Sequence, residues 1–173
     1  MKTAYKLLRK RNGKLYPLYV LSDKETPVGV WIAAESGELQ ANGKVKAKLG
    51  DGLCYRPGWH LSDLPGARHI YTIVNGERVQ KEGTVWCEVL YKDDVNYQAI
   101  ANENGRNKRG VVVAKNAYLK YVPTNGYYKY KTSPQMEGEW AITGEMKIVR
   151  ELSGDEVDQI CLSAGVKPQK RVM

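Results

Sequence analysis

Residues 55–71 read YRPGWHLSDLPGARHIY and hold both histidines of the chain, His60 and His69, beside Trp59 and two prolines. Histidine serves as acid, base or metal ligand near neutral pH, so chemistry is sought here first. Cys54 and Cys87 flank the stretch, and the run Cys54, His60, His69, Cys87 has separations of six, nine and eighteen residues. Those separations match no common zinc framework, and no metal is expected. A cysteine nucleophile would need an exposed thiolate poised by a base. Cys87 falls mid-strand beside Glu88 and Cys161 on the inner face of a helix, which leaves Cys54 as the thiol within reach of His60. Neither GxGxxG nor GxxxxGK[ST] occurs, so nucleotide hydrolysis has no support. Glu88, in TVWCEVLY, is the strongest catalytic candidate, because an acid among apolar neighbours needs a partner or a role. Arg9, Arg56 and His60 are its candidate partners, and a purely structural pairing is the commoner outcome.

For binding, the richest stretch is AYLKYVPTNGYYKYK at 117–131. Strand alternation would put Tyr127, Lys129 and Lys131 on one face, while Tyr118 and Lys120 share a face in the preceding strand. With Arg106, Lys108 and Arg109 in the adjoining loop, this gives a basic, tyrosine-rich surface suited to stacking on bases or anchoring a protein interface. An edge strand guarded by lysines fits the same residues equally well.

The elements that must position these residues follow from composition. The chain has 173 residues, twelve Tyr, four Trp, no Phe and frequent Gly, Pro and Asn-Gly punctuation, which reads as short strands joined by tight turns. We expect one α+β domain over 1–166, mostly antiparallel sheet, followed by a frayed basic tail at 167–173. Asn12-Gly13 suits a type I′ turn joining 4–11 to 14–21, with Leu7 opposite Leu18, Tyr5 opposite Val20 and Arg9 opposite Tyr16. The strand 84–91 reads as central, a second hairpin as turning at Asn125-Gly126, and a further strand as spanning 139–150. Residues 93–110 read as a mobile loop. Ser62-Asp63 predicts a short helix near 63–71. Ser153 with Glu156 forms a capping box that starts an amphipathic helix near 154–164, with Gly165 as its stop.

The formal net charge is +8, and it is uneven. Residues 1–50 carry ten Lys/Arg against four Asp/Glu, 51–100 five against seven, and 101–150 nine against four. Such an excess favours an anionic partner, nucleic acid or an acidic protein surface. An odd count of three cysteines argues against a disulfide framework, and no apolar run resembles a secretory signal or a membrane span. A cytoplasmic protein with no membrane partner is expected.

The segments RPGWHLSDLPGARHI, GTVWCEV and GEWAITGEMKIVREL resemble small proteins encoded by phages of gut bacteria, and the likeness spans most of the chain. Some of those proteins resemble anti-CRISPR proteins that inhibit Cas9. The resemblance implies a non-enzymatic protein acting in the host bacterial cell, with a host defence protein or nucleoprotein such as Cas9 as partner, double-stranded DNA as a further one, and no cofactor. It carries no catalytic residues to transfer. A weaker likeness, through GWHLSD at 58–63, is to ADP-ribosyltransferase-like folds. It implies NAD as cofactor, with His60 and Glu88 matching that family's His and Glu and Arg9 as an alternative basic position. The spacing and the intermediate Ser/Tyr motif of that family are not recognisable here.

Overall fold

A computed structural model describes every residue except Arg68 and Met173. In chain order the elements are β1 Lys2–Arg11, β2 Lys14–Tyr16, β3 Trp31–Ala33, β4 Trp59–Ser62, β5 Thr72–Val74, β6 Glu77–Gln80 and β7 Thr84–Tyr91. They continue with β8 Val95–Asn96, α1 Gln98–Asn104, β9 Gly126–Tyr130, β10 Trp140–Thr143, β11 Glu145–Glu151, α2 Gly154–Ser163 and β12 Lys170–Arg171. This is the expected single α+β domain with a mostly antiparallel sheet.

The main sheet runs β3-β11-β7-β1-β4-β10-β9-β8, with β2 paired to β1. Its two distant members β10 and β11 are one strand bent at Gly144, so the run β11-β7-β1-β4-β10 closes on itself as a small barrel. The bend demands glycine: a Cβ at Gly144 would lie 2.0 Å from the Pro123 carbonyl oxygen. Alternation along each strand sends one set of side chains inward. Ala4, Leu8, Leu61, Cys87, Val89, Ala141, Met146 and Ile148 fill the interior. Tyr91 and Tyr127 bring their ring centroids within 5.6 Å although four strand spacings separate β7 from β9. Only a strongly curled sheet permits that contact.

The outward set includes Leu7, Trp86, Tyr128, Trp140 and Ile142, and it needs a cover as well. Val157 and Cys161 of α2 supply part of it, and Ala101, Ala117, Leu119 and Val122 supply another part. The expected capping box is present, with Glu156 N donating to Ser153 Oγ at 3.2 Å and Ser153 N donating to Glu156 Oε2 at 2.7 Å. Gly165 follows the helix at φ 74°.

Several expectations of local structure need correction. The first hairpin keeps its Asn12-Gly13 turn and its Arg9–Tyr16 pair, but Pro17 has no N–H to continue the ladder and the chain departs. Beyond that point the edge of β1 that β2 leaves passes to β4, so Tyr5 meets Ser62 there and not Val20, and Leu18 does not pair with Leu7; β7 pairs along the opposite edge, where Leu7 faces Trp86 and Tyr5 faces Glu88. Residues 63–71 form no helix among those described. Two isolated turns take its place, with Gly66 N donating to Leu64 O and Ile70 N to Ala67 O, because Pro65 and Gly66 oppose a helical run. The hairpin across 117–131 does not form: β9 pairs with β10 and β8, and 117–123 packs as irregular chain. The stretch 93–110 carries β8 and α1. In the segment expected to fray, β12 pairs in parallel with β6, Lys170 holds Glu77 at 2.7 Å and Arg171 holds Asp158 at 2.7 Å.

Candidate ligand cavity

The place where the barrel opens is set by strand pairing. β4 is bonded along its whole length to β10, yet shares only the pair Tyr5–Ser62 with β1. Past that pair β1 and β4 diverge, and the backbone carbonyl of His60 lacks a ladder donor from β1. The ammonium of Lys6 fills the gap, donating from Nζ to His60 O at 3.0 Å and lying 5.5 Å from the Trp59 ring centroid. A cavity of about 810 Å³ lies beside this splay. Its walls include Leu7, Trp59, His60, Trp86, Tyr130 and Trp140, and the irregular segments around 17–37 and 45–58 form its far side.

Local geometry fixes the aromatic wall. Gly58, at φ 115°, lets the chain turn into β4 where a Cβ would meet Ile142 at 2.5 Å. Trp59 is tied by its indole N–H to Ile32 O at 2.8 Å. His60 is set edge-on to Tyr130 and Trp140, with centroids 6.2 and 6.5 Å away, and His69 is edge-on to Trp140 at 5.6 Å. Arg56 lies 4.0 Å over the Tyr130 ring, a cation–π contact. Its guanidinium also donates to the Ala117 and Lys115 carbonyls.

The electrostatics are one-sided at depth. Burial, then the positive charge of Lys6, push the His60 pKa down to about 3, so the ring is neutral and its Nδ1–H donates to Gly58 O at 3.2 Å. Burial lowers the Lys6 amine to about 8, against a smaller opposing contribution from Cys87. Among the described residues neither Lys6 nor Arg56 has a carboxylate partner, whereas Lys24 pairs with Glu35 and Glu25 with Lys14. The cavity therefore offers ring faces and, among the described residues, three cations without a carboxylate partner, Lys6, Arg56 and Lys81.

The other sequence candidates are dispersed. Glu88 sits on the outward face beside Tyr5, outside the cavity wall, and its ion-pair partner is Arg150 at 3.8 Å rather than Arg9, Arg56 or His60. Arg9 is spent on the chain leaving β2, donating to Pro17 O at 3.3 Å and to Ser22 O. Thus His60, Glu88 and Arg9 do not share one site. Cys54 is exposed at the cavity edge, with no bond to His60 among the described residues. Cys87 points into the barrel, where burial raises its thiol to about 12. No group of metal-ligating side chains gathers among the described residues.

The tyrosine-lysine row is not a solvent-facing platform. Tyr127 and Tyr128 are buried, one inside the barrel and one against its outer cover. Tyr118, Lys129 and Lys131 are half-buried, and Lys129 Nζ lies 6.0 Å from the Tyr91 ring centroid. Lys120, Lys108 and Arg109 are exposed, while Arg106 is engaged by Glu103 at 3.0 Å and by Gly110 O at 2.6 Å. Lys6, Trp86, Tyr130 and Trp140 were among the cavity residues that sequence reasoning passed over. A signal for Lys6 existed: alternation in AYKLL puts it on the same strand face as Ala4 and Leu8, where a cation is out of place.

No protein-family model matches the chain, and no curated protein or solved structure gives a significant match.

Proposed function

We propose that the chain is a binding protein whose site is this cavity, and that its ligand is a planar group carrying an anionic substituent. The observation that carries this is the wall itself: three of the four tryptophans, Trp59, Trp86 and Trp140, line one cavity of about 810 Å³ together with Lys6, Arg56 and Lys81, which have no carboxylate partner among the described residues. Pockets of this size, mostly aromatic with a few polar groups, are the usual form of small-ligand sites. Rings favour a planar guest, and the unbalanced charge of Lys6 and Arg56 favours an anion on it. The net charge of +8 adds long-range attraction for such partners.

The partner that would present the group is, on the resemblance to phage-encoded inhibitors, a host defence nucleoprotein such as Cas9 in the bacterial cytoplasm. NAD also belongs to this ligand class, but turnover would need a free acid at the site, and Glu88 is held by Arg150 away from it while Glu25 and Glu35, which border it, are paired with Lys14 and Lys24. Binding without turnover is the reading we favour. Intrinsic tryptophan fluorescence reports on the cavity directly. Titration with AMP should change the emission, adenosine should act more weakly, and Arg56→Gln should weaken the AMP response. Equal responses to AMP and adenosine would remove the anion from the proposal. A DNA cleavage assay with Cas9, with and without the protein, tests the partner, and undiminished cleavage counts against it.

A further inference from the structure

One of the cavity's cations is also a nucleophile, a property that simple binding does not use. Lys6 lines the wall, its amine is bonded to a backbone carbonyl and not to an acid, and its neighbours are aromatic. We propose that Lys6 is a carbonyl-capturing residue, its ε-amine forming an imine with a small planar aldehyde that bears an anionic substituent. This rests on the reading of the cavity as a ligand site.

The chemistry balances without any redox partner. The amine lone pair attacks the aldehyde carbon and a C–N bond forms. The carbonyl oxygen then takes up two protons and leaves as water while C=N replaces C=O. The step needs a neutral amine, and lysines used this way are commonly desolvated in apolar pockets. Burial beside the groups that face Lys6 favours that state and outweighs a smaller opposing contribution from Cys87. From β4 comes His60, neutral because burial holds it at about 3, and from β7 comes the Cys87 thiol, held up at about 12. The cations Arg56, Lys24 and Lys81 and the acids Glu25 and Glu35 also border the cavity, but both acids are paired with lysines other than Lys6. With its amine lowered to about 8, Lys6 at pH 7.5 has a free-amine fraction about two-hundredfold above that of an ordinary lysine near 10.4. Arg56, on the Tyr130 ring, is placed to receive the anionic substituent.

The probe is pyridoxal 5′-phosphate, a planar phosphate-bearing aldehyde, with pyridoxine 5′-phosphate as its non-aldehyde counterpart. The full chain is mixed with substoichiometric aldehyde, reduced with borohydride and mapped by mass spectrometry. We expect the adduct chiefly on Lys6, with half-maximal labelling near pH 8, protection by pyridoxine 5′-phosphate, and loss of that adduct in Lys6→Arg. Labelling of Lys6 no faster than the exposed Lys120 would overturn the proposal. So would a pH profile for Lys6 that rises only above pH 10. Both comparisons use the parent protein and do not depend on the variant folding. Fluorescence quenching by pyridoxine 5′-phosphate without a Lys6 adduct refutes imine capture and leaves the binding reading standing. If neither quenching nor adduct occurs, both fail.

Discussion

Acid should unfold this protein through His60. The ring lies among Trp140, Tyr130 and Lys6, and burial with the Lys6 charge holds its pKa at about 3 against 6.5 in the unfolded chain. Its folded pKa is the lower one, so as pH falls through 6.5 the unfolded state takes up the proton first. Stability from this group is therefore complete above pH 6.5, declines down to about pH 3, and is flat below. Each pH unit in that window costs about 1.4 kcal/mol, so at pH 4 the loss is on the order of 3 kcal/mol. That is a large share of the 5–15 kcal/mol typical of a domain. The assay is urea denaturation of the parent and His60→Gln at pH 7 and pH 4. Gln keeps a polar side chain of similar reach but cannot take the proton, so the variant should lose about 3 kcal/mol less between the two pH values. Carboxylates that titrate in the same range are common to both proteins and cancel. Equal pH sensitivity in parent and variant would mean that His60 is not held neutral, and the cavity electrostatics described here would be wrong.

Lys6 should show the opposite limb. Its amine is lowered from 10.5 to about 8, so the stability difference between parent and Lys6→Met should shift in the parent's favour by about 3 kcal/mol from pH 7.5 to pH 10.5, as read by urea titration; a flat difference refutes it. Glu88→Gln should cost less than about 1 kcal/mol, since its 3.8 Å pair with Arg150 is partly exposed, and parent and variant alike should show no NAD consumption above a no-protein control. Gly144→Ala should destabilise by more than about 3 kcal/mol in thermal melts, because its Cβ would overlap the Pro123 carbonyl and force the barrel bend open. Ser153→Ala should cost about 1 kcal/mol through the lost cap of α2, measured the same way.

The elements legible in the sequence were those whose determinants lie within a few residues. The Asn12-Gly13 turn, the Ser153–Glu156 capping box and the alternating strand 84–91 each carry their signal locally, and each is present. Candidate elements failed where a distant partner overrode local pattern. Tyr127 and Tyr128 alternate with lysines like an exposed strand, yet β9 is flanked by β8 and β10 and its tyrosines serve two opposite cores. Lys170 and Arg171 look like a loose tail until Glu77 and Asp158 are brought beside them. The cavity belongs to this second kind. Composition and local pattern were enough for an α+β domain, a net charge of +8, and His60 beside Trp59 at a Pro57-Gly58 corner. That Glu88 faces Arg150 while His60 faces Lys6, Tyr130 and Trp140 was decided by barrel closure at Gly144 and by the early end of the β1–β4 ladder. Both depend on pairings between residues far apart in the chain, and the free energy of such pairings is not encoded in the spacing of any one segment.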